Sequence, residues 1–478
     1  MKKTNQQKVQ AFKPTSAWDK LPKSEQPLLE KRSKEYIDFI GACKTERETI
    51  AYLKKIADKA GFKILPDFGK GKKLKAGSKV MFINKNRAMA MAIIGKRPIN
   101  EGLRIVGAHL DVPRLDAKSM PLYEKQDMAL FKTHYYGGIK KYQWATIPLS
   151  LHIFALDKDG IIHTSVIGEK PGDPVFTISD IAPHVGHKTQ MDQRKAGEAI
   201  TGEELNIIVG SRPLEKDNDA QESKDRVKLA VLQHLYKEYN LTEEDLGWAE
   251  IRAVPAFKPA EIGFDKAIIG AYGHDDRACV YAAFQAIMEV KNPEHTSCAI
   301  FFDKEEVGSA GPNGAQSDMV IDIITRLVEA TSGETSYAAI RNAVSNTQVI
   351  SADTNAPIDP SFEYAYDPLN SGVLGKGIWI CKHSGKGGKS GSSEADIEFL
   401  ALIRKMLTQE KIPYQFGEMG KVDEGGGGTI AHMLADRNMQ VLDFSLATIS
   451  LHSPFELISK VDYHYSVSAY KAFMQNHY

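Results

Sequence analysis

Four short segments of this chain are apolar almost without a break: "LRIVGAHLD" (103–111), "TSCAIFF" (296–302), "TQVISAD" (347–353) and "MQVLDFSLA" (439–447). Runs of this length and continuity are strands buried on both faces, because a half-exposed strand would alternate apolar with polar residues. Between them lie stretches with helical period, of which "DRACVYAAFQAIMEV" (276–290) is the clearest. Buried strands alternating with helices demand an α/β sheet with helices packed on its faces.

Other signals extend this frame. Thr45 followed by Glu48 predicts a capping box, Ile50, Leu53, Ile56 and Ala57 form a buried stripe, and Gly61 ends that helix. "KVMFINKNRAMAMAII" predicts two strands around the turn "NKNR". The first 27 residues are polar and predict an irregular arm. From Arg114 to Pro255 the texture changes to short β-like segments, "PLSLHIFALD" and "IIHTSVIG", a charged loop "EKDNDAQESKDR", and one amphipathic helix, "VKLAVLQHLYKEY". With 478 residues the chain exceeds one ordinary core. The division predicted is 1–113 and 258–478 as one α/β domain, interrupted by an inserted β-rich domain over 114–257.

Lysine plus arginine and aspartate plus glutamate both number 61. A formal net charge of zero gives no electrostatic reason to expect nucleic acid or an anionic membrane as partner. Cys43, Cys279, Cys298 and Cys381 form no CxxC pair, and four cysteines in a chain this long are no disulfide framework. The first residues lack the apolar core of a secretory signal, and no run approaches a membrane span. A cytoplasmic protein is expected.

In open α/β sheets, ligands gather beyond the carboxyl ends of the strands. The residues just past the predicted strands are His109 and Asp111, Glu305 and Glu306, Asp353, and His452. Asp275 and Asp276 open a helix pattern, where either could serve as a cap. Singly, such residues are commonplace turn formers, caps and solvated charges. Together they are two imidazoles and several carboxylates, donors suited to zinc, or to cobalt or manganese in its place. The set exceeds what one catalytic zinc needs and suits two ions sharing a bridging carboxylate. One of the adjacent Glu305 and Glu306 would bind metal, and the other would move a proton.

Two glycine-rich stretches invite other readings. "HSGKGGKSGSS" (383–393) fails the phosphate-loop pattern, because His383 stands where its first glycine belongs. It fails the dinucleotide pattern as well, with Ser390 at the last glycine. The run Gly425–Gly428 is either a flexible loop or a place where backbone amides, those of Gly426 and Gly427 among them, approach a substrate.

The segments "GAHLDVP", "HDDRACVYAAFQA", "DKEEVGSAGPNGAQS", "ISADTN" and "SLHSPFE", in this order, resemble the aspartyl aminopeptidase / aminopeptidase I family of two-zinc exopeptidases. The resemblance spans nearly the whole chain. It implies His109 and Asp353 as ligands of one zinc, Glu306 and His452 as ligands of the other, and Asp275 as the bridge. It implies Glu305 as general base and Asp111 as the carboxylate that orients His109. It also implies that the insertion is a dimerisation domain and that the subunits build a tetrahedral dodecamer.

In this family a histidine of the dimerisation domain enters the partner's active site; His187, and next to it His184, in "DIAPHVGHK" are the candidates. One departure bears on specificity. The aspartyl-preferring branch follows its metal-binding aspartate with a histidine-containing "DMAHA"-like stretch, whereas this chain reads "DTNAP", with Ala356 at the histidine's place. Release of neutral first residues from short peptides is therefore favoured over release of aspartate or glutamate. A two-zinc deacylase or dipeptidase, and a silent homologue that only forms a shell, are the rival readings.

Overall fold

The four apolar segments become neighbouring strands. In the computed structural model, which describes residues 12–67, 69–70, 73–156, 160–215, 224–334, 336–391, 393–476 and 478, a thirteen-stranded mixed sheet runs through the molecule. Its centre has the order Ala88–Ile93, Thr296–Phe302, Leu103–His109, Gln348–Ser351, Gln440–Ile449. The last four strands of that order are parallel, with Phe302 beside His109, and Ser351 beside both Gly107 and Asp443. Every residue of Leu103–His109 and of Thr296–Phe302 is buried, as their continuous apolar runs required.

Helices cover both faces. One core packs Gln26–Ala42, Glu46–Lys59, His274–Glu289, Ile397–Gln409 and Lys460–Gln475 against the sheet. The other face carries Met319–Ser332, Tyr337–Ser345 and Ala431–Ala435. After Leu103–His109 and the second sheet, the chain adds the edge strands Ala260–Ile262 and Ile268–Ala271, then places Thr296–Phe302 on one side of Leu103–His109 and Gln348–Ser351 on the other. The direction of winding thus reverses beside His109, where the loops diverge and open a crevice.

The predicted capping box is present. Thr45 accepts a hydrogen bond from the Glu48 amide at 3.4 Å, and Glu48 Oε2 accepts the Thr45 amide at 3.0 Å. The "NKNR" hairpin joins Lys79–Asn84 to Ala88–Ile93, with Lys85 and Asn86 left-handed as a tight turn requires. The polar start is less irregular than expected. Ala17–Lys20 is helical and Lys23–Glu25 is a 3-10 turn, while residues 1–11 lie outside the described residues; the helix expected after this arm is Gln26–Ala42.

A second, seven-stranded sheet is built wholly from residues between Arg114 and Pro255 and has its own core. Its principal element is a hairpin, Arg114–Lys125 with Met128–Tyr136, which the sequence reading did not identify. The reason is physical. The first strand is polar and half-exposed, and its register shifts between Ala117 and Leu122, which breaks the period-two pattern. The predicted strands at Leu149–Leu156 and Ile162–Ile167 pair with each other, and the predicted helix is Arg226–Tyr239. Most of the charged loop before it, residues 216–223, lies outside the described residues.

A buried charge cluster joins the two sheets. Glu46, 1% exposed, meets Arg114 at 3.1 Å, Arg87 at 3.6 Å, and Arg252. Burial alone would raise the Glu46 pKa, but the three guanidiniums hold it well below the usual carboxylate range. Arg87 Nε also binds the buried Asp303 at 2.8 Å, just ahead of Glu305. Removing one partner from such a cluster strands buried charge, at a cost of about 3–5 kcal/mol.

Candidate active site

The crevice at the winding reversal is a cavity of about 710 Å³. His109, Asp275, Glu305, Glu306, Asp353 and His452 all line it, together with Gly426, Gly427 and Ala356. Residues spread from 109 to 452 in sequence are therefore gathered at one end of the sheet.

The contacts fall into two groups sharing Asp275. His109 Nε2 lies 3.3 Å from Asp275 Oδ1, 3.6 Å from Asp353 Oδ1 and 4.0 Å from Glu305 Oε2. His452 Nε2 lies 3.1 Å from Asp275 Oδ2 and 3.7 Å from Glu306 Oε2. Both rings have their other nitrogen occupied by a backbone carbonyl: His109 Nδ1 donates to Asp111 O at 3.0 Å, and His452 Nδ1 to Gly138 O at 2.7 Å. That fixes the tautomer and turns the Nε2 lone pairs toward carboxylate oxygens. Two acceptors facing each other repel unless a proton or a metal ion lies between them.

The electrostatics lead to the same conclusion. Burial raises the carboxyl pKa values of Glu306 and Asp353, and lifts Glu305 to about 8. Burial would likewise raise Asp275, but its two histidine partners hold it low. Asp275 Oδ1 and Glu306 Oε1 are buried without a hydrogen-bond donor. Such orphaned carboxyl oxygens fit a cation, which would favour their ionised form. His109, Asp275 and Glu306 offer ligand atoms within 4.8 Å of one another, and so do His109, Asp276 and Asp353.

Local backbone holds this set in place. Lys304, just before Glu305, and His452 itself have φ of 68° and 64°, strained values for residues with side chains. Neither Asp275 nor Asp276 caps the helix that follows; Asp276 accepts the His109 amide at 3.1 Å instead. The Asp111 carboxylate is 3.4 Å from His109 Nδ1 and accepts the amides of Glu305 at 3.0 Å and Glu306 at 3.1 Å. It therefore holds the glutamate turn as well as facing His109, whose closer partner is the Asp111 carbonyl.

Glu456 was missed in the sequence. Buried, it accepts the Asp275 amide at 3.1 Å and the His452 amide at 2.7 Å. It ends the segment "SLHSPFE", but a glutamate opening a strand carries no mark of burial in sequence.

The two glycine-rich stretches pair with each other. Gly385–Lys386 and Gly426–Gly427 form a two-stranded ribbon at the cavity wall. Gly426 has φ of 115°, and a Cβ there would lie 2.2 Å from Gly385 O, so only glycine permits the pairing. His184 and His187 do not line the cavity of their own chain; both are exposed, and His187 pairs with Asp192 at 3.1 Å. A second hydrolase-like set, Ser150, His152 and Glu48, is structural: Ser150 is fully buried and donates to Glu169 at 2.6 Å.

An α/β sheet presenting two histidines and a ring of carboxylates at its winding reversal is the scaffold of a metal-dependent hydrolase. A family model described as aminopeptidase I zinc metalloprotease (M18) matches residues 39–474, and the chain belongs to this family of peptide-bond hydrolases. It is 42% identical to a probable M18 family aminopeptidase 1 of Clostridium acetobutylicum, over 96% of this chain and 98% of that one. The crystal structure of an M18 aminopeptidase from Thermotoga maritima superposes with a TM-score of 0.91 at 39% identity, covering 97% of this chain and all of that one. The fold is also that of the S. cerevisiae mApe1 dodecamer, with a TM-score of 0.74 at 20% identity, over 94% of this chain and 97% of that one. Among the described residues, no helix is long and apolar enough to cross a membrane.

The charge balance sets how stability responds to pH. In the metal-free chain, burial lifts Glu305 and Glu456 to about 8. Asp275 lifts His452 to about 11, against the opposing pull of burial. A carboxyl raised on folding binds more protons folded than unfolded between its ordinary value and its raised one. Its contribution is therefore lost as pH rises through that window, and the raised histidine acts in the same sense. The metal-free thermal midpoint is expected to fall from about pH 5 to about pH 8. The gain on adding zinc should grow over the same interval, because the ligands must be deprotonated. Melting curves with and without zinc test this, and a zinc increment that shrinks toward the higher pH contradicts it.

Proposed function

We propose that the enzyme removes the N-terminal residue from short peptides with two zinc ions per subunit, and that Glu305 is its base. The observation that carries this reading is the sharing of Asp275 between two imidazoles, each with its own further carboxylate. His109 and Asp353 would hold one ion, Glu306 and His452 the other, with Asp275 between them. When bound, zinc supplies Lewis acidity that polarises a carbonyl and acidifies water, a role cobalt or manganese could also fill. Glu305 lines the cavity and is bonded through its amide to Asp111. Its carboxylate takes the proton of the attacking water and delivers it to the leaving amine. Glu456 keeps Asp275 and His452 in place throughout, and the ribbon at Gly426 and Gly427 offers backbone to the peptide.

The seven-stranded sheet is read as an inserted domain over 114–257 that pairs subunits, and the assembly as a dimer-based dodecamer. Exposed Ile181, Val185 and Met191 beside His184 and His187 form an apolar surface that a partner would cover. Four unpaired, buried cysteines accord with action in the cytoplasm.

Ala356 on the cavity wall cannot donate a hydrogen bond from its side chain to an acidic substrate group, so neutral and apolar first residues are the expected substrates. The test is kcat/KM on peptides beginning with Asp, Glu, Leu and Ala, with zinc, cobalt and manganese supplied in turn. Comparable rates for Leu and Ala, exceeding those for Asp and Glu, are the expected result. A strong acidic preference overturns the specificity, and hydrolysis only of N-acylated substrates overturns the aminopeptidase mechanism.

A further inference from the structure

The candidate metal site is held from the second sheet, at three consecutive residues where that sheet's hairpin ends. Tyr136 donates its hydroxyl to Asp111 Oδ2 at 2.9 Å, and Asp111 in turn accepts the amides of Glu305 and Glu306. Gly137 passes so close to Glu306 that a Cβ there would lie 3.1 Å from its Oε2. Gly138 O takes the proton of His452 Nδ1. The tyrosine ring is fixed as well. The Arg114 guanidinium lies 3.8 Å from its centroid, and Arg114 is held by Asp116 at 2.7 Å and Glu46 at 3.1 Å. A half-buried hydroxyl with a rigid mount thus reaches the carboxylate that organises the proposed base and its neighbouring ligand.

We propose that Tyr136 is a positioning residue of the metal centre: its hydroxyl fixes Asp111 and, through it, the Glu305–Glu306 turn. The inference rests on the two-zinc reading given above. The second sheet therefore takes part in building the metal site. Without the hydroxyl, Asp111 keeps its two amide donors but can rotate, and Glu306 drifts relative to His452.

The test is Tyr136→Phe, which retains the ring and its stacking on Arg114. Partners that orient metal ligands typically contribute about 10–100-fold to metal affinity or activity. Zinc retention measured by chelator competition should fall within that range, and kcat should fall while KM for the peptide stays constant. The thermal midpoint of the metal-free chain should fall only slightly, by the loss of one hydrogen bond, and by less than in Tyr136→Leu. Tyr136→Leu serves as the companion, since it removes ring and hydroxyl together. If Tyr136→Phe keeps wild-type zinc affinity and kcat while Tyr136→Leu loses them, the residue acts by packing and the inference fails. If both variants match the wild type, it fails outright. If the wild-type chain itself binds no zinc, the two-zinc reading falls and takes this inference with it.

Discussion

Glu305→Gln is expected to keep its metal and lose about 10²–10⁴-fold in kcat, the range that a positioned general base contributes. The amide is isosteric, and the turn is held through the backbone by Asp111 rather than through the Glu305 side chain. The site therefore survives while the proton acceptor does not. Asp275→Ala, Glu306→Ala and His452→Ala should behave differently and lose metal on dialysis, Asp275→Ala most completely, because both imidazoles face it. Metal analysis beside single-turnover kinetics separates the two classes. A Glu305→Gln chain that comes off dialysis without metal, or that turns over normally, would reverse the roles given to the adjacent glutamates.

The second large effect is expected between subunits. His187→Ala combined with His184→Ala should leave the metals bound and lower kcat by about 10²–10³-fold, the loss found when one oxyanion donor is removed. Both histidines stand clear of their own chain's cavity, on an exposed segment flanked by apolar side chains. Mixing this variant with Glu305→Gln should restore activity. In a mixed dimer one site has Glu305 from the histidine variant and histidines from its partner. Full activity of the histidine variant alone would rule out a shared site, as would no recovery once subunit exchange has been demonstrated by differential labelling.

How much of this could be read in the sequence depended on where each residue's neighbours lie. Strands buried on both faces, such as Leu103–His109 and Thr296–Phe302, carry their environment in their own composition, so the central sheet was legible. The metal-ligating types were legible for a related reason: they follow those strands, where ligands collect. The hairpin Arg114–Lys125 with Met128–Tyr136 was not, because half-exposed polar strands resemble loops. Glu456 and Tyr136 were invisible for another reason. Their roles consist of hydrogen bonds to groups distant in sequence, and neither residue type is unusual where it stands. Asp111 was legible as a neighbour of His109, but its grip on the glutamate turn emerges only when two strands meet.

The winding reversal has a consequence for the timing of synthesis. His109 is made long before His452, and the strand that leads to His452, Gln440–Ile449, is also the one that closes the parallel core of the sheet. A growing chain cannot bring Asp275 between two imidazoles until His452 has been made. Long-range pairing of this kind is slow and comes late. The nascent polypeptide thus lacks an assembled site, which first exists when the whole domain has folded.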